Sequence, residues 1–362
     1  MDVSPILSPL NDAQREAVTA PLVPVLVLAG AGSGKTRVLT HRVAWLIRAE
    51  GASPHSVLAV TFTNKAAAEM RSRIESLLGI PGGSLWLGTF HGLAHRLLRL
   101  HWREAGLPQT FQILDGEDQL RLVKKLVKAL GLDEERWAPR DVQYFINKHK
   151  DEGRRPAGLK DNGDPTEKQL IRLYVEYEEA CRRAGVVDFA ELLLRAFELW
   201  RDNAELLQHY RRRFRHVLID EFQDTNVVQY ELSRLLASGH HNITAVGDPD
   251  QSIYSWRAAD IRNLQRFESE EAYALVQDLD HVKSDDIDGM KAIISQLQEI
   301  QLKELPIIPL WYNGLWAQAS NAVWTGWPSS DGLQVPPSTW RGYWQMGGIR
   351  MLDALTHPEA AN

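Results

Sequence analysis

Apolar positions along this chain fall into two kinds of pattern. From Pro24 the run PVLVLA is continuously apolar, breaks into GAGSG, and becomes helix-periodic through KTRVLTHRVAWLI. A short unbroken apolar run, then glycines, then a helical period predicts strand, loop and helix in that order. The segment RHVLIDEFQDTN holds a second such run, Val217 to Ile219, which ends on two acids. Between about residues 105 and 203 the pattern changes. There GEDQLRLVKKLVKAL, RDVQYFINKHK and TEKQLIRLYVEYEEACRRAG set apolar residues at helical spacing with mixed charges outside. The expected fold class is α/β, a parallel sheet with a helical stretch between its earlier and later strands.

Composition narrows this picture only in part. At 362 residues the chain has room for two or three domains. A formal net charge of −6 excludes a generally basic DNA-coating protein but not a local basic groove, because phosphate contact depends on where charges sit. Cys181 is the single cysteine, which rules out an intrachain disulfide framework and points to a reducing compartment. The opening MDVSPILSPLNDAQ has no basic segment leading into an apolar run, and no stretch reaches the roughly eighteen apolar residues of a membrane span. A cytoplasmic protein without a membrane partner is expected.

The glycine loop carries the first chemistry. Gly30, Gly32 and Gly34 permit backbone angles closed to other residues, so successive N–H groups can turn inward around phosphate oxygens. A helix starting near Lys35 adds its positive dipole end, Lys35 reaches the terminal phosphates, and the Thr36 hydroxyl suits Mg²⁺. Ala29 stands where the usual pattern opens with glycine. Two acids after a strand, taken alone, more often mark a solvated loop. With a phosphate loop upstream, Asp220 becomes a Mg²⁺ carboxylate and Glu221 the base that orients and deprotonates water.

The ordered series of motifs resembles the UvrD/Rep family of superfamily-one DNA helicases, from about Leu7 to about Phe267. LNDAQREAV is similar to the family's adenine-reading Q motif, with Gln14 as the residue meeting the base edge. AGAGSGKTR is its phosphate loop, which makes Gly30, Ala31, Gly32, Ser33, Gly34, Lys35, Thr36 and Arg37 nucleotide-binding candidates. TFTNKAAAEMRSRI and GTFHGLAHRLL resemble segments that touch single-stranded DNA, through Thr61, Phe62 and Asn64 in the first and Thr89 and His91 in the second. VGDPDQSIYSWRAAD resembles the coupling motif, in which Gln251 senses the γ-phosphate while Tyr254, Trp256 and Arg257 meet DNA. Aromatic stacking on bases tolerates any sequence, as a translocating motor requires.

The resemblance implies a RecA-like first part over residues 1–104, an inserted helical domain over 105–203 and a second RecA-like part over 204–270. It further implies ATP and Mg²⁺ as cofactors, single-stranded DNA and single-strand/duplex junctions as partners, and 3′-to-5′ unwinding of the kind used in DNA repair. On the helical segment Lys124, Lys125, Lys128, Lys148 and Lys150 can face a duplex or simply form a solvated face. Arg211 to Arg215 is read as a surface charge run.

Beyond Phe267 the family's further motifs are not found, so a truncated, chimeric chain, weak or inactive in unwinding, is expected. Residues 271–362 resemble instead the C-terminal end of family 5 extracellular solute-binding proteins of the peptide and nickel type, a partial α+β tail whose partner is unknown. On that resemblance Trp311, Trp316, Trp324, Trp327, Trp340 and Trp344 belong to a foreign core and have no part in DNA stacking. Two alternatives stand beside the helicase: a non-catalytic nucleotide- and DNA-binding fragment, and a solute-binding lobe acting through the tail.

Overall fold

The computed structural model describes residues 2–79, 85–251 and 263, with three isolated helical positions at 292, 293 and 296. The described residues up to 263 belong to one compact unit, which is described by itself below. The tail and its tryptophans lie outside the described residues, as do Tyr254, Trp256 and Arg257.

The first unit begins with α1 (Ser4–Leu7) and α2 (Asp12–Thr19), then β1 (Val25–Leu28), α3 (Lys35–Arg48), β2 (Val57–Thr61), α4 (Asn64–Leu78), β3 (Trp86–Thr89) and α5 (Phe90–Leu100). A mostly helical stretch follows, with β4 (Gln112–Leu114), α6 (Gly116–Ala129), α7 (Pro139–Asp151), α8 (Pro165–Ala184), β5 (Val186–Asp188) and α9 (Phe189–Asp202). The chain then continues through α10 (Ala204–Arg213), β6 (His216–Ile219), α11 (Val227–Ala237) and β7 (Ile243–Gly247).

Five strands make one parallel sheet in the order β1-β7-β6-β2-β3, and β4 pairs with β5 in a second, two-stranded parallel sheet. Every residue of β2, β6 and β7 is buried. Strands covered on both faces need no polar side, which is why the sequence reads there as unbroken apolar runs. Because the strands are parallel, all their carboxyl ends lie along one edge, and the loops carrying polar residues emerge together.

Helix starts follow local chemistry. Asn11, Thr63, Thr89, Asp115, Asp164, Asp188, Asn203 and Asn226 each accept a backbone N–H in the first turn of the helix they precede. Such caps contribute about 1 kcal/mol apiece. The α3 helix differs: its N-cap is Gly34, left-handed at φ 90°, with no side-chain cap. The first amides of α3 are therefore left for a ligand to satisfy.

In the helical stretch Val123, Val127, Trp137, Val142, Ile146, Leu173, Tyr174, Tyr177 and Cys181 form a core of their own. Beside it runs a buried polar cluster. Lys150 Nζ lies 2.7 Å from Asp188 and 3.0 Å from Glu191, the Tyr177 hydroxyl donates to Asp188 at 2.7 Å, and Arg155 pairs with Glu178, Glu191 and Glu198. This corrects one expectation. Lys150 is wholly buried and cannot face DNA, since releasing its ammonium would leave Asp188 as an uncompensated buried charge. Lys124, by contrast, is exposed and pairs with Glu134 at 3.3 Å. The arginine run is only partly a surface feature, because Arg213 lies over the Trp86 and Phe214 rings and Arg211 donates to the Leu235 carbonyl.

Candidate functional site

The order of strands in the sheet sorts the candidate residues into two groups. β1, β7 and β6 are neighbours, so the glycine loop after β1, Gly247–Asp248 at the end of β7 and Asp220–Glu221 after β6 come together. β2 and β3 lie beyond β6, and from their ends come Thr61, Phe62, Asn64, Thr89 and His91.

In the first group the loop is closed on itself, with the Ser33 hydroxyl donating to the Gly30 carbonyl at 2.7 Å. Ala31, Gly32 and Arg37 are exposed on it. The Gly34 position favours glycine on two counts: its φ is positive, and a Cβ there would stand 2.7 Å from Gln14 Nε2 and displace that carboxamide. That nitrogen donates to the Ser33 carbonyl at 2.8 Å, and Gln14 Oε1 accepts the Asn11 N–H in the capping box of α2. Gln14 is thus held against the phosphate loop, with one N–H and one lone pair of its carboxamide not engaged by these bonds.

Lys35 is buried, and its Nζ sits 3.5 Å from both the Gly30 carbonyl and Asp248 Oδ2. The Thr36 hydroxyl faces Asp220 Oδ2 across 3.4 Å. Two adjacent oxygens of an octahedral Mg²⁺ stand about 3 Å apart, so this hydroxyl and carboxylate fit that ion with a small adjustment. Among the described residues no group of three or more His, Cys, Asp or Glu side chains is placed to cage a metal. Mg²⁺ that shares its shell with phosphates and water does not need one. Burial, with the Glu221 carboxylate alongside, pushes the Asp220 pKa up to about 6. A bound divalent cation reverses that preference.

Glu221 takes a left-handed backbone at φ 50°, rare for a residue with a side chain and costly by about 1–2 kcal/mol. Its carboxylate accepts from Gln223 Nε2 at 2.8 Å, and Gln223 Oε1 accepts the Asp248 N–H at 2.9 Å. Gly247 makes room for that glutamine, since a Cβ there would lie 2.9 Å from Gln223 Oε1. Gln251 Nε2 donates to Asp248 Oδ2 at 2.6 Å. The candidates Lys35, Glu221 and Gln251 therefore converge on a Gln223–Asp248 hub that the sequence reading passed over. An uncharged glutamine and an aspartate in a Pro-containing turn carry no signal until β6 and β7 are known to be neighbours.

In the second group Thr89 caps α5 through its hydroxyl, and Asn64 lies exposed in the first turn of α4. Thr61 is only 2 % exposed and does not present its side chain to solvent. Phe62 is half-buried. The His91 ring meets Phe189 edge-on at 5.8 Å, and Phe189 is 49 % exposed. Phe189 was another omission. A phenylalanine at the start of an amphipathic helix reads as core, and only its exposure beside His91 marks it. Among the described residues no helix is long and apolar enough to cross a membrane.

A family model described as UvrD/REP helicase N-terminal domain matches residues 10–272. The chain is 61 % identical over 267 residues to DNA helicase II of Escherichia coli, a match covering 74 % of this chain and 37 % of that protein. It is 55 % identical over 271 residues to DNA helicase II of Haemophilus influenzae, covering 74 % and 37 %. To the ATP-dependent DNA helicase PcrA of Staphylococcus aureus it is 40 % identical over 266 residues, covering 73 % and 36 %. The chain thus spans little more than a third of the length of these relatives.

Proposed function

The chain belongs to the UvrD/REP helicase family, and from that premise we propose that it carries the ATP- and single-stranded-DNA-binding machinery of a cytoplasmic 3′-to-5′ DNA helicase. On this reading residues 1–104 and 204–270 are a RecA-like core, residues 105–203 are its helical insertion, and single-strand/duplex junctions are the working substrate. The observation that carries the proposal is the meeting of Thr36 with Asp220 at 3.4 Å, beside Lys35 and under an uncapped helix start. A triphosphate would supply oxygens for the free amides of α3, an anion to take the place of Asp248 at Lys35, and the remaining ligands of a Mg²⁺ shared by Thr36 and Asp220.

Each residue then has a task. Backbone amides from Gly30 to Thr36 bind the phosphates, and Lys35 leaves Asp248 to meet the terminal ones. Gln14 uses its remaining donor and acceptor on the adenine edge. Glu221, fixed by Gln223, orients the attacking water and takes its proton. Gln251, already on Asp248, reports the γ-phosphate. Mg²⁺, when bound, neutralises charge on the β- and γ-phosphate oxygens. Phe62, His91 and Phe189 offer rings to bases on the side of the sheet edge away from the nucleotide. Tyr254, Trp256 and Arg257 are proposed as further DNA contacts.

Titration of the purified chain with Mg·ATP, followed by ATP turnover with and without single-stranded DNA, tests the proposal. Saturable binding and DNA-stimulated hydrolysis are expected. Binding without turnover would make this chain a non-catalytic nucleotide- and DNA-binding protein, and no binding would overturn the site.

A further inference from the structure

Arg42 is the largest of the wholly buried side chains, at 0 % exposure, and among the described residues no carboxylate stands within ion-pair distance of it. A guanidinium taken out of water without a counter-ion is costly unless other groups satisfy it. Three backbone carbonyls do so for the two terminal nitrogens, while Nε is buried without a hydrogen-bond partner. Nη1 donates to Val18 O at 2.8 Å and also to Ala20 O, and Nη2 donates to Pro21 O at 2.9 Å. Val18 is in the last turn of α2, Ala20 is its C-cap, and Pro21 follows directly. The cation therefore sits where the carbonyls of α2 are left unpaired and the helix dipole is negative. Next to it on α3, His41 Nδ1 bonds the Ile6 carbonyl at 2.6 Å.

The same two helices meet again at their other ends. α3 begins at Lys35, directly after the phosphate loop, and α2 carries Gln14 in its first turn, bonded to the Ser33 carbonyl of that loop at 2.8 Å. The short helix α2 is thus clamped twice, by Gln14 to the loop and by Arg42 to the body of the helix that follows the loop. Remove the second clamp and the first can still form, but the direction of α2, and with it the remaining N–H and lone pair of Gln14, is no longer fixed.

We propose that Arg42 is a positioning residue for recognition of the nucleotide base: it sets the Gln14 carboxamide in register with the phosphate loop, without touching the nucleotide. This rests on the nucleotide reading of the site given above. A purely structural arginine would lower affinity for every phosphate ligand in step with stability. A positioning arginine separates ligands that have a base from those that do not.

The test uses the full chain and calorimetric titration with Mg·ATP and with Mg·tripolyphosphate, which offers the phosphates alone. Arg42→Lys keeps the buried charge but cannot reach three carbonyls at once. It should weaken ATP about tenfold, the scale of one or two hydrogen bonds to a base edge, and leave tripolyphosphate within about twofold. Gln14→Ala should lose a similar base-dependent increment, and the double variant should lose no more than the larger single one. Arg42→Met, with thermal melting alongside, reports the structural part, and a lowered melting temperature with unchanged ligand discrimination would overturn the proposal. Equal losses for both ligands in Arg42→Lys, no loss for either, or additivity with Gln14→Ala would do the same. If the unaltered chain binds neither ligand, the nucleotide site itself fails. If it binds both equally, the base is not read, and the inference fails while the phosphate site stands.

Discussion

Asp151 gives the sharpest quantitative test of how the helical stretch is joined to the sheet. It is the last residue of α7, and its Oδ1 accepts from Asn226 Nδ2 at 2.8 Å. Asn226 caps α11 only a few residues after Asp220 and Glu221. Burial, then repulsion from Asp188 and Glu152, pushes the Asp151 carboxyl up to about 7 from 3.8, although the Lys150 ammonium opposes the shift. With the folded pKa above the unfolded one, the unfolded chain ionises first as pH rises. The group's contribution to stability is complete below about 3.8, falls through the interval to about 7, and is flat beyond it. Three pKa units correspond to about 4 kcal/mol, and screening of a partly exposed side chain reduces this to about 2 kcal/mol. Asp151→Asn keeps the acceptor for Asn226 and removes the ionisation. Urea unfolding should therefore find the variant progressively more stable than the parent from pH 5 to pH 7, by about 2 kcal/mol at pH 8, with an unchanged m-value. A variant less stable at pH 8, or a gap that does not change with pH, would mean that Asp151 is ionised in the folded protein and paired with Lys150, and the reasoning would fail.

Lys35→Ala should weaken Mg·ATP by tenfold or more in the same titration used for the parent, on the scale of about 1.5–3 kcal/mol for hydrogen bonds to charged groups; superimposable curves would remove Lys35 from the site. Phe189→Ala should weaken single-stranded DNA by about 1–3 kcal/mol, alike for all base compositions, as read by fluorescence anisotropy at fixed salt. His216, whose pKa is pushed down to about 4 by burial and then by the nearby His240, Arg215 and Arg42 charges, is neutral in the folded chain. Its folded pKa lies below the unfolded one, so its contribution is present above about 6.5 and is lost as pH falls towards 4, by up to about 3 kcal/mol. His216→Gln should flatten that acid limb in urea unfolding, and a limb of the same steepness would show that another group sets it.

What was legible in the sequence was whatever local rules decide. The apolar runs of β1 and β6 read as strands because each is a short unbroken apolar stretch that ends on glycines or acids, and the Gly30-to-Thr36 loop read as a phosphate cradle because its glycines break the run just before a helical period. What was not legible depended on neighbours far along the chain. Gln223 matters because β7 lies beside β6, an adjacency no local pattern encodes. Lys150 reads as one more lysine on a helix face until Asp188 and Glu191, brought in by β5 and α9, are seen against it. Arg42 looks like an ordinary polar position of an amphipathic helix, and its partners are carbonyls, which have no sequence signature at all.

The strand order also bears on how two ligands could influence each other. If nucleotide and DNA bind as proposed, their sites meet at one seam, between β6 and β2. There the Asp220 N–H donates to the Val60 carbonyl at 2.8 Å, and Val60 pairs in register with Ile219. Asp220 would hold Mg²⁺, while Thr61 and Phe62 follow Val60 at once. A displacement of the Asp220 backbone on ATP binding would reach the Phe62 ring through one hydrogen bond and two residues of chain. Coupling over so short a path requires only that the two nucleotide states hold Asp220 differently, because a ligand shifts an equilibrium by no more than its differential affinity for the two states. The buried Thr61 would fit this role better than direct contact with DNA: held inside the sheet at 2 % exposure, it stands in the chain between Val60, whose carbonyl accepts the Asp220 N–H, and Phe62.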